Sequence, residues 1–128
     1  MHIQHRQQIG ALQGADFEEL LALAWGGGNG IIRTAGDPFF KPEATVPASL
    51  SITVAAGYGF INRAVIKGTT SVTLTFPAGV ANYNVYHDGS SVTFSLLAVP
   101  VPVTSFMIAT VAVDGADEAT PTDVRAWL

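Results

Sequence analysis

Apolar and polar positions change period once along this 128-residue chain. Between Asp16 and Trp25, "DFEELLALAW", Phe17, Leu20, Leu21 and Ala24 recur at helical spacing while Glu18 and Glu19 face away, which predicts one short amphipathic helix. Asp16 and Glu19 suit the open N–H groups and positive dipole of its first turn, and "GGGNG" from Gly26 to Gly30 ends it. A helix this short is marginal alone, so those four apolar residues are expected to dock during assembly. Glycines and Pro38, Pro42 and Pro47 then predict an extended connector rather than a packed element. From Ser49 onward the period is two: Ile52 and Val54 alternate with Ser51 and Thr53, Val72, Leu74 and Phe76 with Ser71, Thr73 and Thr75, and Val92, Phe94 and Leu96 with Ser91, Thr93 and Ser95. These are half-buried strands. Turn signals at Ala56-Gly57, Lys67-Gly68, Ala78-Gly79 and Asp88-Gly89 recur at roughly the 8–12-residue interval of an all-β sandwich or barrel. Asp88-Gly89 suits the two central positions of a type I′ hairpin. The expected organisation is an arm over residues 1–47, carrying the helix and connector, and an antiparallel, sandwich-like or barrel-like β-domain over 48–128.

One stretch breaks the alternation. Phe106 to Val113, "FMIATVAV", is apolar almost throughout, as a strand is when both of its faces are covered. Strict alternation would put Phe106, Ile108 and Ala112 on one face and Met107, Ala109, Val111 and Val113 on the other. The expectation is that other copies of the chain supply the second cover, making Phe106, Ile108, Ala109, Val111, Ala112 and Val113 a subunit interface. Small side chains at Ala109 and Ala112 would permit close approach near a symmetry axis.

Composition supports assembly. Charged residues make up only 12%, against about a quarter in ordinary soluble domains, and mean hydropathy is +0.36. The net charge of −4 with six scattered Lys and Arg argues against nucleic-acid binding, which needs clustered cations. No apolar run approaches the ~20 residues of a membrane helix, and the polar start "MHIQHRQQIG" has no signal-peptide core. The Gln-rich residues 1–15 are expected to act as an attachment arm ordered by assembly. There is no Cys, so neither disulfides nor Cys-containing zinc sites are available.

No constellation points to catalysis, a cofactor or a metal. "GGGNG" leaves a helix instead of entering one, unlike a phosphate loop. His2 and His5 have no third ligand nearby. Asp114, Asp117 and Glu118 lack the ligand ladder of a calcium loop and read as a solvated turn. His87, Asp88, Ser90 and Ser91 sit in a tight hairpin where sequence neighbours point to opposite faces, so they do not form a triad. Trp25, Tyr58, Phe60, Tyr83, Tyr86 and Trp127 could stack on sugars, though such residues more commonly pack in cores or subunit contacts. Near the end of the chain, Asp123 and Arg125 are expected to make a charge-assisted contact.

The order of features resembles a known family. A helix and Gly-rich link precede "PASLSITVAAGYGFINRAVIK", "TTSVTLTFPAG", "NYNVYHDGSSVTF" and "FMIATVAVDGADEATPTDVR". Over about residues 15–125 this is similar to a structural module of tailed-bacteriophage tail-fibre and baseplate proteins. The resemblance implies a non-enzymatic virion protein, usually trimeric, whose partners are its own copies and other proteins of the tail, collar or capsid. In fibre proteins the module commonly continues past its Asp-x-Arg motif into a shaft or tip. Here Ala126-Trp127-Leu128 follows instead, so the expectation is a short fibre, collar or baseplate adaptor. The alternatives are a capsid decoration or head-fibre protein, or a carbohydrate-binding module for a host-surface glycan.

Overall fold

A computed structural model describes residues 28–128; the predicted helix, with Phe17, Leu20, Leu21 and Ala24, lies outside the described residues. Ten strands form three antiparallel sheets, and no helix occurs among the described residues. The strands are β1 (Gly30–Ile31), β2 (Pro42–Ala44), β3 (Ser51–Val54), β4 (Gly57–Ile61), β5 (Ala64–Gly68), β6 (Val72–Thr75), β7 (Ala81–His87), β8 (Val92–Leu96), β9 (Phe106–Val113) and β10 (Ala119–Asp123). Their order is β1-β4-β5, β2-β3-β6 and β10-β9-β7-β8. The mainly β expectation holds. The alternation also holds where it was clearest, with Ile52, Val54, Leu74 and Phe76 buried between more exposed Ser and Thr.

All three sheets turn apolar side chains into one core, which includes Ile31, Phe40, Ile52, Ile61, Leu74, Phe76, Val85, Ile108 and Val111. An aromatic string runs through it: Phe40 packs on Phe106 and His87, and Phe76 on Tyr83 and Phe94. Ile31 and Phe40 overturn the reading of their segment as an unpacked connector. Both are essentially buried, β1 pairs with β4, and β2 pairs with β3 across residue 47. Glycine and proline shape this segment into two very short strands joined by turns; β1 places Ile31 in the core, and the turn before β2 places Phe40 there.

Two turns depart from expectation. The β7–β8 hairpin centres on Gly89-Ser90, and Asp88 N–H donates to the Ser91 carbonyl behind them (3.1 Å). Only Gly89 has positive φ (99°), which fits a turn with glycine first, not the type I′ turn expected at Asp88-Gly89. The geometry of two successive positive φ angles occurs instead between β4 and β5, at Asn62 (50°) and Arg63 (67°).

The face assignment of β9 is corrected. Val85 pairs with Ala109 and Tyr86 with Met107, so Ile108 has no opposite number on β7. This is a β-bulge, and an extra residue resets the side-chain alternation. Phe106 and Ile108 before the bulge and Ala109, Val111 and Val113 after it all join the same core. Met107 and Thr110 are half-exposed, and Ala112 is exposed. The run is apolar because its inward parity changes midway, not because a second layer covers both faces.

From β8 to β9 the chain must cross β7, since β7 pairs antiparallel with both. Residues 97–105 make this crossover. Asn84, whose β8 and β9 partners Ser95 and Thr110 share its face away from the core, donates to the Leu97 carbonyl (3.4 Å), which sets the start of the crossover on the outer side of the sheet.

Candidate functional site

The expected subunit-interface residues are mostly internal. Phe106, Ile108, Ala109, Val111 and Val113 are buried by the chain itself, and among the six only Ala112 is exposed. The burial of β9 therefore needs no second copy. Its outer face runs across neighbouring strands as small, mostly polar side chains: Thr120, Ala112 and Asn82 form one row, and Thr122, Thr110, Asn84 and Ser95 the next. Ser95 Oγ is buried there without a partner.

Asp123 and Arg125 are brought together. The Arg125 guanidinium donates through Nε (3.0 and 3.1 Å) and Nη2 (2.7 Å) to the Asp123 carboxylate. Its Nη1 donates to the carbonyls of Asp37 and Phe39 (3.0 Å to the latter). The Arg125 side chain is only 6% exposed, so this fork satisfies donors that water does not reach freely. Its contact holds the Asp123 carboxyl below the usual range. Trp127 lies between two cations, with Arg125 and Arg33 each 4.4 Å from its ring centre. Sequence spacing pointed to the pair; it carried no signal for the link to residues 37–39, which is made by backbone carbonyls.

His87 faces inward. It is 4% exposed, stacked on Phe106 and edge-on to Phe40. Its Nδ1 accepts the Gly89 N–H at 3.0 Å, which fits the neutral ring. Burial lowers its pKa, opposed in part by the neighbouring Asp88 carboxylate. Asp88 accepts the N–H groups of Ser91 (2.9 Å) and Ser90 (2.8 Å), which lower its own pKa. Imidazole and carboxylate are thus both engaged with the turn backbone. A cavity of about 170 Å³ opens beside them, with Phe40, Lys67, Thr70, Val72, Ser91 and Val92 in its walls.

The acidic turn after β9 is likewise internally engaged. Asp114 accepts from Ala116 N–H (2.9 Å) and Glu118 N–H (3.0 Å), and Asp117 accepts from Gly79 N–H (3.2 Å). Among the described residues no three His, Asp or Glu side chains gather as a metal site would require. Among the described residues the aromatic side chains do not assemble into one exposed patch: Phe60, Tyr83 and Tyr86 are buried, Trp127 is flanked by the two arginines, and Tyr58 is exposed beside Phe39. Trp25, His2 and His5 lie outside the described residues.

Large apolar side chains are exposed instead at the end of β8 and along the crossover: Leu96 at 53%, Leu97 at 48%, Val99 at 48%, and Val103 almost fully. Gly89 to Val113 contains no Asp, Glu, Lys, Arg or His. Comparison with family models, with curated proteins and with solved structures gave no match.

Proposed function

We propose that this chain is a non-enzymatic structural protein of a tailed-bacteriophage particle. In this reading it is a short tail fibre, collar or baseplate adaptor that joins virion parts as a homotrimer, with its sheets stacked sandwich-like around the shared core. The observation that carries the reading is the exposed, uncharged apolar surface from Leu96 to Val103, since an apolar patch of that kind suits a permanent protein contact. The resemblance in motif order supplies the particle and the threefold symmetry. In the His87 hairpin and the acidic turn, the side chains of His87, Asp88, Asp114 and Asp117 are already bonded to backbone, which favours a structural over a catalytic role.

Two measurements test the proposal. Light scattering should give three times the 13.4 kDa chain mass at low micromolar concentration, and gold-labelled antibody should decorate intact particles at the tail, collar or baseplate. Label on the head would move the assignment to capsid decoration. A folded monomer that labels no particle would end it.

A further inference from the structure

We infer that the end of β8 and the crossover over β7, centred on Leu96, Leu97 and Val99, form the contact through which copies of this chain join one another. The inference rests on the trimeric reading above and replaces β9 as the place of contact. β9 is buried by its own chain, whereas these three side chains are about half exposed and adjoin a groove of about 440 Å³ lined by Asn82, Leu96, Leu97 and Ala98.

Given the trimeric reading, charge favours this surface as the place where copies meet. An oppositely charged partner finds nothing to pair with between Gly89 and Val113, because that stretch carries no ionisable side chain. Runs without Asp, Glu, Lys or Arg also occur at residues 44–62 and 68–86, but there the exposed large apolar side chains, Val46, Tyr58 and Val80, are well separated in sequence. The charge-bearing remainder of the chain has an acidic excess, so copies meeting through it bring like charges together. Copies meeting through this surface do not. Around a threefold axis the same residues of every copy converge, so a patch that tolerates itself is what the symmetry requires.

The strand edge beside the patch fits the same use. Asp88 N–H donates to Ser91 O and Leu97 N–H to Asn82 O, and with the β7–β8 register between them Val92, Phe94 and Leu96 turn their main-chain groups away from β7. Exposed edges are usually blunted with proline or charge. β2 carries Pro42 and Glu43, β5 carries Lys67, and β10 carries Pro121 and Asp123; β8 carries neither device. The shorter edge strand β6 also lacks both, but it has no exposed large apolar side chain. A neighbouring copy over the crossover would cover that edge.

Leu97→Asp and Val99→Asp, made singly in the full chain, test the inference. Light scattering should show wild type at the trimer mass and both variants about threefold lighter, with the β-type circular dichroism retained. Leu97→Ser, a milder change, should raise the protein concentration needed for trimer formation even if an aspartate variant fails to fold. Thr34→Asp adds the same charge at an exposed turn near Arg125, which follows β10 at the opposite edge of the sheet from β8, and should stay trimeric; its dissociation would assign the effect to net charge and overturn the inference. Trimeric Leu97 and Val99 variants would overturn it while leaving the trimeric reading intact. A wild-type monomer would remove both.

Discussion

At the scale of single residues, His87 links sequence to pH dependence. Its ring lies between Phe40 and Phe106 and accepts the Gly89 N–H at Nδ1, so protonation would place charge among apolar rings and remove that acceptor. Burial therefore lowers its pKa from 6.5. As pH falls, the unfolded chain takes up this proton first, so the contribution of His87 to stability is complete above about 6.5 and is lost progressively as pH drops toward the lower folded-state value. Urea midpoints should consequently fall between pH 7.5 and 5. His87→Gln, which keeps an acceptor for Gly89 without titrating, should flatten that slope. An unchanged slope would mean that other groups carry it. Asp88 and Asp123, whose pKa values are also lowered, act in a separate window below 3.8.

Elements depend on where backbones approach. On β4, a Cβ added at Gly59 would lie 2.6 Å from the Gly30 carbonyl oxygen and 2.9 Å from the Phe106 ring, so β4 can sit against β1 and the core only without a side chain there. Gly59→Ala should destabilise the protein by about 1–3 kcal/mol, the usual cost of overpacking, read as a lower denaturant midpoint. A wild-type midpoint would show that β1 and Phe106 shift aside freely. The strand pattern of β3 and β6 was legible, because Ile52, Val54, Leu74 and Phe76 alternate cleanly with hydroxyl side chains. The bulge at Ile108 was not. One extra residue inverts the parity of β9 without changing its composition, so a strand with one buried face reads as a strand with two. Ile31 and Phe40 were hidden for different reasons: Ile31 lies in a strand of two residues, too short to show any period, and Phe40 lies in a turn before β2 with positive φ (55°), outside any periodic element. The Asn62-Arg63 turn was missed because Arg63 takes positive φ without being glycine. The Asp123–Arg125 pair was legible in type and spacing, whereas its carbonyl partners belong to a loop far away in sequence.

For the whole molecule, the question is how sheets assembled from short strands become one body, and residues 124–128 supply much of the answer. Val124 N–H donates to Ile108 O and Ala126 N–H to Met107 O, extending the pairing on β9 past β10. Ile31 N–H then donates to Ala126 O (2.7 Å), and Leu128 N–H to Ile31 O (3.0 Å), so the same segment pairs with β1 in a second sheet. Arg125 sits between these two sets of bonds and reaches the loop before β2, the strand that opens the third sheet. One guanidinium therefore touches a joint at which all three sheets meet. Lysine cannot reproduce it: a point charge with three rotatable donors lacks the planar fork that serves Asp123 and two carbonyls together. Arg125→Lys should cost about 1–3 kcal/mol, the range for losing hydrogen bonds to charged or buried groups. Arg125→Ala should cost more, because it leaves the Asp123 carboxylate and the Asp37 and Phe39 carbonyls without their donor. In a Trp25→Phe background, where Trp127 is the remaining tryptophan, chemical denaturation read by tryptophan fluorescence and by circular dichroism should show both variants unfolding earlier. Coincident transitions in the two signals would show that the joint opens together with the sheets. Fluorescence changing well before circular dichroism would mean that residues 124–128 detach by themselves, and that the sheets hold together without them.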